Sequence, residues 1–276
     1  MSKAYLKIYP KTYSRIYGKS IPSISFPNIL SADIVYDVQD LSTMWQDSAK
    51  TTPAAVDQPV GAQSAVGRSD RDRAQSTAMA RPTLRHDGKS YYLEVSGAQS
   101  LEVPSSQGFF NYLHDGTGGS YFACAQLGIV ANPLADYALM SNFNGGSSTA
   151  GSAFAYRDIA TTSDRFSLWV GNTTGGQQVI DLQDDDEILP NVPQSIGWTF
   201  ENIVGALGYV DGVQVASQST LNTPVATNTI SNMHFFRLDT GEFPLVGREY
   251  GCSFFTTNLT GSDLTNIQNY YGSLPA

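Results

Sequence analysis

An acidic run, three histidines and two cysteines are the groups in this chain that could do chemistry, and their spacing limits what each can do. Asp184, Asp185, Asp186 and Glu187 follow one another between Gln183 and Ile188-Leu-Pro190. Clustered carboxylate and carbonyl oxygens suit a hard cation, so the run is a candidate calcium or ligand loop; the plainer reading is a solvated acidic turn. It lacks the layout of glycoside hydrolysis, where a Glu-x-Asp-x-x-Glu strand would set acid and nucleophile on one face. That spacing occurs nowhere in the sequence. His86, His114 and His234 are far apart and match no metal-ligand spacing. His114 opens the loop His114-Asp115-Gly-Thr-Gly-Gly119, whose glycines serve turn geometry; His114 and Asp115 are the candidate ligand-facing members. No Gly-x-Ser-x-Gly elbow marks a serine nucleophile. Gly116-Thr-Gly-Gly119 is not a phosphate loop, because no Gly-Lys-Ser/Thr follows. Cys124 and Cys252 both sit in strand-like runs and read as two buried free thiols, with a disulfide between adjacent strands as the alternative.

The best-defined pattern lies outside any catalytic layout. From Lys3 to Tyr17 the odd positions alternate base and tyrosine: Lys3, Tyr5, Lys7, Tyr9, Lys11, Tyr13, Arg15, Tyr17, with Lys19 continuing the basic series. In an extended chain the period of two puts all of these on one face and small or apolar groups on the other. Pro10, Gly18, Pro22 and Pro27 argue against a continuous helix. Residues 1–30 therefore read as an extended basic and aromatic arm that anchors the protein to another surface, and residues 31–276 as the domain it carries.

The charge is split in the same way. Residues 1–32 carry five basic residues and no acid; the remaining 244 carry 11 basic and 25 acidic residues, giving +5 and −14 for the total of −9. An acidic body is a poor partner for phosphate backbones, so nucleic acid is not expected as a partner. Charged residues make up only 15% of the chain, against about 25% in average soluble proteins. The replacement by Gly, Ser, Thr and Asn favours short strands with tight turns. No apolar run reaches the length of a membrane helix, and the N-terminus lacks the apolar segment of a secretory signal. Synthesis in a cytoplasm with release by assembly or lysis is the expectation.

Strand-like runs recur between turn signals along the body: Ala32–Tyr36, Tyr91–Val95, Ser120–Leu127, Tyr137–Met140, Phe166–Val170 and Gln178–Leu182. That spacing predicts an all-β sandwich or barrel. Residues 46–83, rich in Ala, Ser, Thr, Gln and Asp, read as a long surface excursion, and Arg68-Ser-Asp-Arg-Asp-Arg73 as a self-paired exposed loop within it. Asp211-Gly212 between two alternating apolar runs predicts a two-residue hairpin, since the primed turn needs positive φ at both centres. One helix is expected, started by Thr260-Gly-Ser-Asp263 in capping-box style, striped with Leu264, Ile267 and Tyr271, and ended at Gly272. The tryptophans Trp45, Trp169 and Trp198 read as core residues.

Several of these pieces occur in a telling order. Tyr36-Asp-Val-Gln-Asp40-Leu-Ser-Thr-Met-Trp45 is followed by Asp57-Gln-Pro-Val-Gly61, Ala80-Arg-Pro-Thr-Leu84, Leu93-Glu-Val-Ser-Gly97, His114–Gly119, Tyr209-Val-Asp-Gly-Val213 and Asn258-Leu-Thr-Gly-Ser-Asp-Leu264. The set resembles the laminin-G-like, or concanavalin A-like, jelly-roll domains of structural proteins in tailed bacteriophages, over residues 33–274. It departs from them at Val66–Arg73, where such domains carry a turn containing Asn-His. The resemblance implies an all-β jelly-roll β-sandwich with an N-terminal arm and one short C-terminal helix. It also implies a setting: a non-enzymatic virion protein, expected to be a capsid decoration or cement protein. Its expected partners are the major capsid protein or neighbouring virion subunits, with copies assembling as a homo-oligomer, a trimer fitting a three-fold position. The alternative is a tail-associated adhesin whose loops grip host glycan. No cofactor is expected, with calcium as the one candidate.

Overall fold

Successive residues of each strand face opposite sides of its sheet, and two antiparallel sheets stack on the apolar sides so formed. The computed structural model describes residues 32–128, 136–143, 150–159, 163–171, 177–181, 189, 191–201, 205–218 and 228–275. The arm from Lys3 to Lys19 and the acidic run Asp184–Glu187 lie outside the described residues.

The first sheet runs in the order β15 (Val213–Gln218), β14 (Gly205–Val210), β13 (Gln194–Glu201), β8 (Gly119–Leu127), β17 (Val246–Phe255), β6 (Tyr91–Ser96) and β5 (Thr83–His86). β1 (Ala32–Asp37) joins it by pairing with β17, Tyr36 opposite Cys252. The second sheet runs β12 (Gln177–Asp181), β11 (Ser163–Gly171), β10 (Ser152–Ile159), β9 (Asp136–Ser141), β16 (Met233–Phe235), β7 (Leu101–Val103), β4 (Arg73–Ala74), β3 (Ala62–Gln63) and β2 (Met44–Trp45). Neighbours such as β8 beside β17, or β16 beside β9, are far apart in sequence. Such crossovers between two antiparallel sheets make this a jelly-roll β-sandwich, as the sequence led us to expect.

Three layers of packing hold it. Between the sheets lie residues such as Leu93, Tyr121, Phe154, Trp198, Phe235 and Phe254, all buried. Outside the first sheet, Phe122, Cys124, Tyr250 and Phe255 pack under α1 (Gly261–Ser273) through Ile267, Tyr270 and Tyr271. Outside the second sheet, a smaller cluster of Ala153, Trp169 and Phe143 is roofed by Leu238 and Phe243. β8 is covered on both faces, which is why Ser120–Leu127 reads as one unbroken buried run rather than an alternating one. Its neighbour β13 meets the ring of Phe122 with Gly197, where a Cβ would lie 2.1 Å from the ring. The glycine is therefore a matter of space rather than of turn geometry.

The hairpin of β14 and β15 forms as expected, with Asp211 at φ 47° and Gly212 at φ 82°. The helix forms where expected and runs one residue beyond Gly272, but its start differs: Thr260 is the N-cap residue without a side-chain capping bond. Its position comes from the apolar face under it, not from the cap. Cys124 and Cys252 are both buried and unbonded. They sit on adjacent strands in different layers, Cys252 between the sheets and Cys124 under the helix. Side chains on opposite faces of one sheet cannot meet to form a disulfide.

Residues 46–83 are not a surface excursion. They contribute β3 and β4, and Val60, Ala62, Gln63 and Arg73 are fully buried. The run Arg68–Arg73 splits accordingly. Arg68 and Arg71 pair with Asp70 at the surface, as expected, whereas Arg73 enters the interior. There its guanidinium donates to both carboxylate oxygens of Glu249, at 3.0 and 2.8 Å, and to Gln63 Oε1 at 3.0 and 2.7 Å. It also lies over the rings of Tyr36 and Phe235, 4.6 and 4.7 Å from their centroids. Burial works against its charge, but Glu249, joined by Cys252 and Tyr36, offsets this and holds Arg73 above the ordinary arginine range. The pair links the two sheets, because Arg73 is on β4 and Glu249 on β17. Removing one member would strand a buried charge at a cost of about 3–5 kcal/mol. Polar, two-residue strands carry too little apolar pattern to be told from loop, so this part of the second sheet was invisible in the sequence.

Candidate functional site

The outer face of the second sheet carries a single cross-strand row. Residues in register follow one another from Trp45 on β2 through Ala62, Ala74, Glu102, His234, Ser141 and Ala153 to Trp169 on β11. Leu101, Val103, Met233 and Phe235 fill the core between the sheets. Glu102 and His234, placed between them in their strands, therefore point the other way. Directly opposed residues on antiparallel strands bring their Cβ atoms to about 5 Å, so Glu102 and His234 are neighbours at the centre of the row. Small residues flank them on both sides, and a tryptophan stands at each end.

The loop after β16 covers half of this face. Leu238 and Phe243 close over Ala153 and Trp169, and the main chain ties down through Ala138 N–H donating to Phe243 O at 2.8 Å. The covering ends at Asp239, which meets His234 Nε2 at 3.0 Å. Beyond that rim Glu102, Asn232, Asp239, Ala74 and Gln75 are half-buried and form a strip that the loop after β16 leaves uncovered among the described residues. Asn232 Nδ2 donates to Glu102 Oε1, and Gln75 Nε2 donates to Ser100 Oγ at 2.9 Å. At the far end Trp45 has Lys50 Nζ 5.2 Å from its ring centroid. Arg81 is committed to main-chain oxygens of Gln75, Gln46 and Ser76.

Electrostatics set the state of the histidine. Burial pushes the His234 pKa below its ordinary value, outweighing Glu102 and Asp239, which pull it up; Arg237 adds to the push. A neutral ring donating to Asp239 from Nε2 leaves Nδ1 as a lone-pair acceptor. Among the described residues no group donates to it. Ser141, His234 and Asp239 do come together as the residue types of a hydrolytic triad. Ser141, however, is fully buried, and its Oγ accepts from Phe143 N–H at 2.9 Å, so no substrate reaches it. A void between the sheets, bounded by Leu113, Tyr121, Met140, Phe154, Leu168 and Trp198, is apolar and has no room for a water molecule. The strip presents the carboxylates of Glu102 and Asp239 beside small side chains, an arrangement that can accept hydrogen bonds.

The loop singled out in the sequence is arranged differently. His114 is buried at the end of a 3-10 turn, and Asp115 Oδ1 accepts from Thr117 N–H at 2.8 Å and from its hydroxyl. Among the described residues no three His, Cys, Asp or Glu side chains gather as for a metal ion. Trp198 is core, as expected; Trp169 is buried but outside the sandwich, and Trp45 only half-buried. Glu102 drew no notice in the sequence and His234 only as a solitary histidine. The available signal was a polar residue between two apolar ones in Leu101-Glu-Val103 and Met233-His-Phe235, which marks an outward position without naming its cross-strand partner.

No family model matches the sequence, and no curated protein matches it. Solved structures do match in fold. The CBM40 of the Ruminococcus gnavus IT-sialidase superposes with a TM-score of 0.50 at 12% identity, over 65% of this chain and 96% of that one. The leech intramolecular trans-sialidase in complex with 2,7-anhydro-Neu5Ac gives 0.51 at 12% identity, over 67% of this chain but 27% of that one. The same Ruminococcus gnavus CBM40 bound to α2,3-sialyllactose gives 0.44 at 12% identity, over 55% and 82%. The class these likenesses define is the jelly-roll β-sandwich.

Proposed function

We propose that this chain is a non-enzymatic, glycan-binding jelly-roll protein of a tailed-phage virion, acting as a tail-associated adhesin on host saccharide. The observation that carries the reading is the outer-face strip around Glu102, His234, Asn232 and Asp239. Carboxylates and amides side by side bind sugar hydroxyls, and the adjacent small residues let a ring lie flat on the sheet. The fold likeness to a CBM40, a module solved elsewhere with sialyllactose bound, agrees with a sugar-binding use of the scaffold. The virion setting comes from the ordered sequence pieces. The strip lies on a sheet face, so each site binds weakly and several copies on one particle supply the avidity.

The test is a glycan array with the full chain, alongside Glu102→Ala and Asn232→Ala. Binding to a defined saccharide set, reduced at least tenfold by either substitution with an unchanged melting temperature, is the expected result. Absence of binding to any glycan, with the chain displayed multivalently, would overturn the reading.

A second reading rests on the charge split between the +5 arm and the −14 body. In it the protein decorates the capsid, the arm from Lys3 to Lys19 lying along acidic capsid or neighbouring subunits by strand addition. Three copies would then sit at a three-fold capsid position. The arm can serve either reading, as capsid anchor or as tail anchor.

A further inference from the structure

We infer that the strip selects an uncharged saccharide and rejects acidic sugars such as sialic acid; this rests on the glycan-binding reading above. Acceptors outnumber free donors along the strip. Glu102 and Asp239 are two carboxylates on either side of His234, one opposite it in register and the other at 3.0 Å. His234 uses its Nε2 proton on Asp239, and its Nδ1 is an enclosed atom with no partner among the described residues, so the ring brings no donor to a ligand. Its side chain is 5% exposed, so the ring closes the floor beside Asp239 and leaves the carboxylates of Glu102 and Asp239 as the accessible acceptors. Asn232 spends a donor on Glu102 Oε1, and Gln75 spends its amide on Ser100.

The cations nearby do not reverse the balance. Arg81 is bound to three main-chain oxygens, and Lys50 pairs with Asp72 at the far side of Trp45. Among the described residues Arg237, half-buried at the base of the covering loop, is the positive charge that acts on His234 against two negative ones, and its Nε is enclosed without a partner rather than facing the strip. A ligand at this place must bring hydrogen-bond donors. Sugar hydroxyls do so, and adjacent hydroxyls match the two oxygens of a carboxylate. A sugar carboxylate brings acceptors and a like charge, which is costly beside two half-buried carboxylates. This separates the chain from the CBM40 solved with sialyllactose, despite the shared fold.

The experiment measures binding of full-length protein to lactose and to 3′-sialyllactose, and on an array of matched neutral and sialylated glycans. Neutral members should bind at least tenfold better than their sialylated counterparts. The charge-removing pair Glu102→Gln and Asp239→Asn should narrow that ratio several-fold by admitting the acidic sugar. Rescue of sialoside binding by isosteric amides is a result that mere loss of folding cannot imitate. Equal or tighter binding of sialosides by the wild-type chain would overturn the inference while leaving glycan binding intact. Glycan binding that neither substitution alters would place the site elsewhere and also overturn it. A blank array would instead remove the reading on which it rests.

Discussion

Asp37 shows how one residue carries its surroundings into a measurable property. It stands at the end of β1, where its Oδ1 accepts from Tyr270 Oη at 3.0 Å and from Gln39 N–H at 2.9 Å. Burial raises its pKa to about 6 from 3.8; those hydrogen bonds oppose the rise and Asp40 adds to it. The folded state therefore holds the proton more tightly than the unfolded chain. Between pH 4 and pH 6, set by those two values, the Asp37 contribution to stability falls as the pH rises, and it is flat above. Asp37→Asn keeps both acceptor bonds and removes the charge. It should stabilise the protein by about 1–2 kcal/mol at pH 7 and have little effect near pH 4. Urea midpoints of both proteins from pH 4 to pH 7.5 decide this; parallel curves would show that Asp37 titrates normally.

At the scale of elements, α1 is held by its buried face and its C-terminal end more than by any cap. Ile267 is fully buried under it. The following turn is tied to the sheet by Ser90 Oγ donating to Leu274 O and Lys89 Nζ donating to Pro275 O at 2.5 Å. Ile267→Ala should cost about 2–5 kcal/mol, because the apolar layer over Phe122 and Phe255 loses its centre. Hydrogen exchange should report faster exchange in 261–273 and in β8, whereas Thr260→Ala should leave both nearly unchanged. A large loss of stability from Thr260→Ala would mean that the cap, not the packing, positions the helix. The two sheets differ in the same respect. The centre of the first is built of long strands buried on both faces, while β2, β3 and β4 of the second are pairs of residues held by the Arg73–Glu249 cross-link.

For the whole molecule the consequence of the charge split is a salt-sensitive attachment. Under the decoration reading, the full chain should bind capsids stripped of accessory proteins, and a chain beginning at residue 31 should not. Affinity should fall steadily with ionic strength between 50 and 500 mM salt, since screening shortens the reach of exposed charges to about 4–14 Å over that range. Equal binding by both chains would remove the arm from the anchoring role. Binding by neither would leave the adhesin reading, tested by the glycan array, as the one in force.

The β class, the Asp211-Gly212 hairpin, the place of the helix and the buried free thiols were all legible in the sequence. Each depends on a local period or on a backbone conformation that few residues accept. Arg73, Gln63 and Glu249 were not legible, because a buried ion pair has no signature until its partner, 176 residues away, is brought beside it. The same holds for the strip. Glu102 and His234 are 132 positions apart, and only the register of β7 on β16 makes them neighbours. Periodicity is carried by consecutive residues and can be read from them. Adjacency across a sheet is set by which strands pair, and that was decided by the tertiary structure alone.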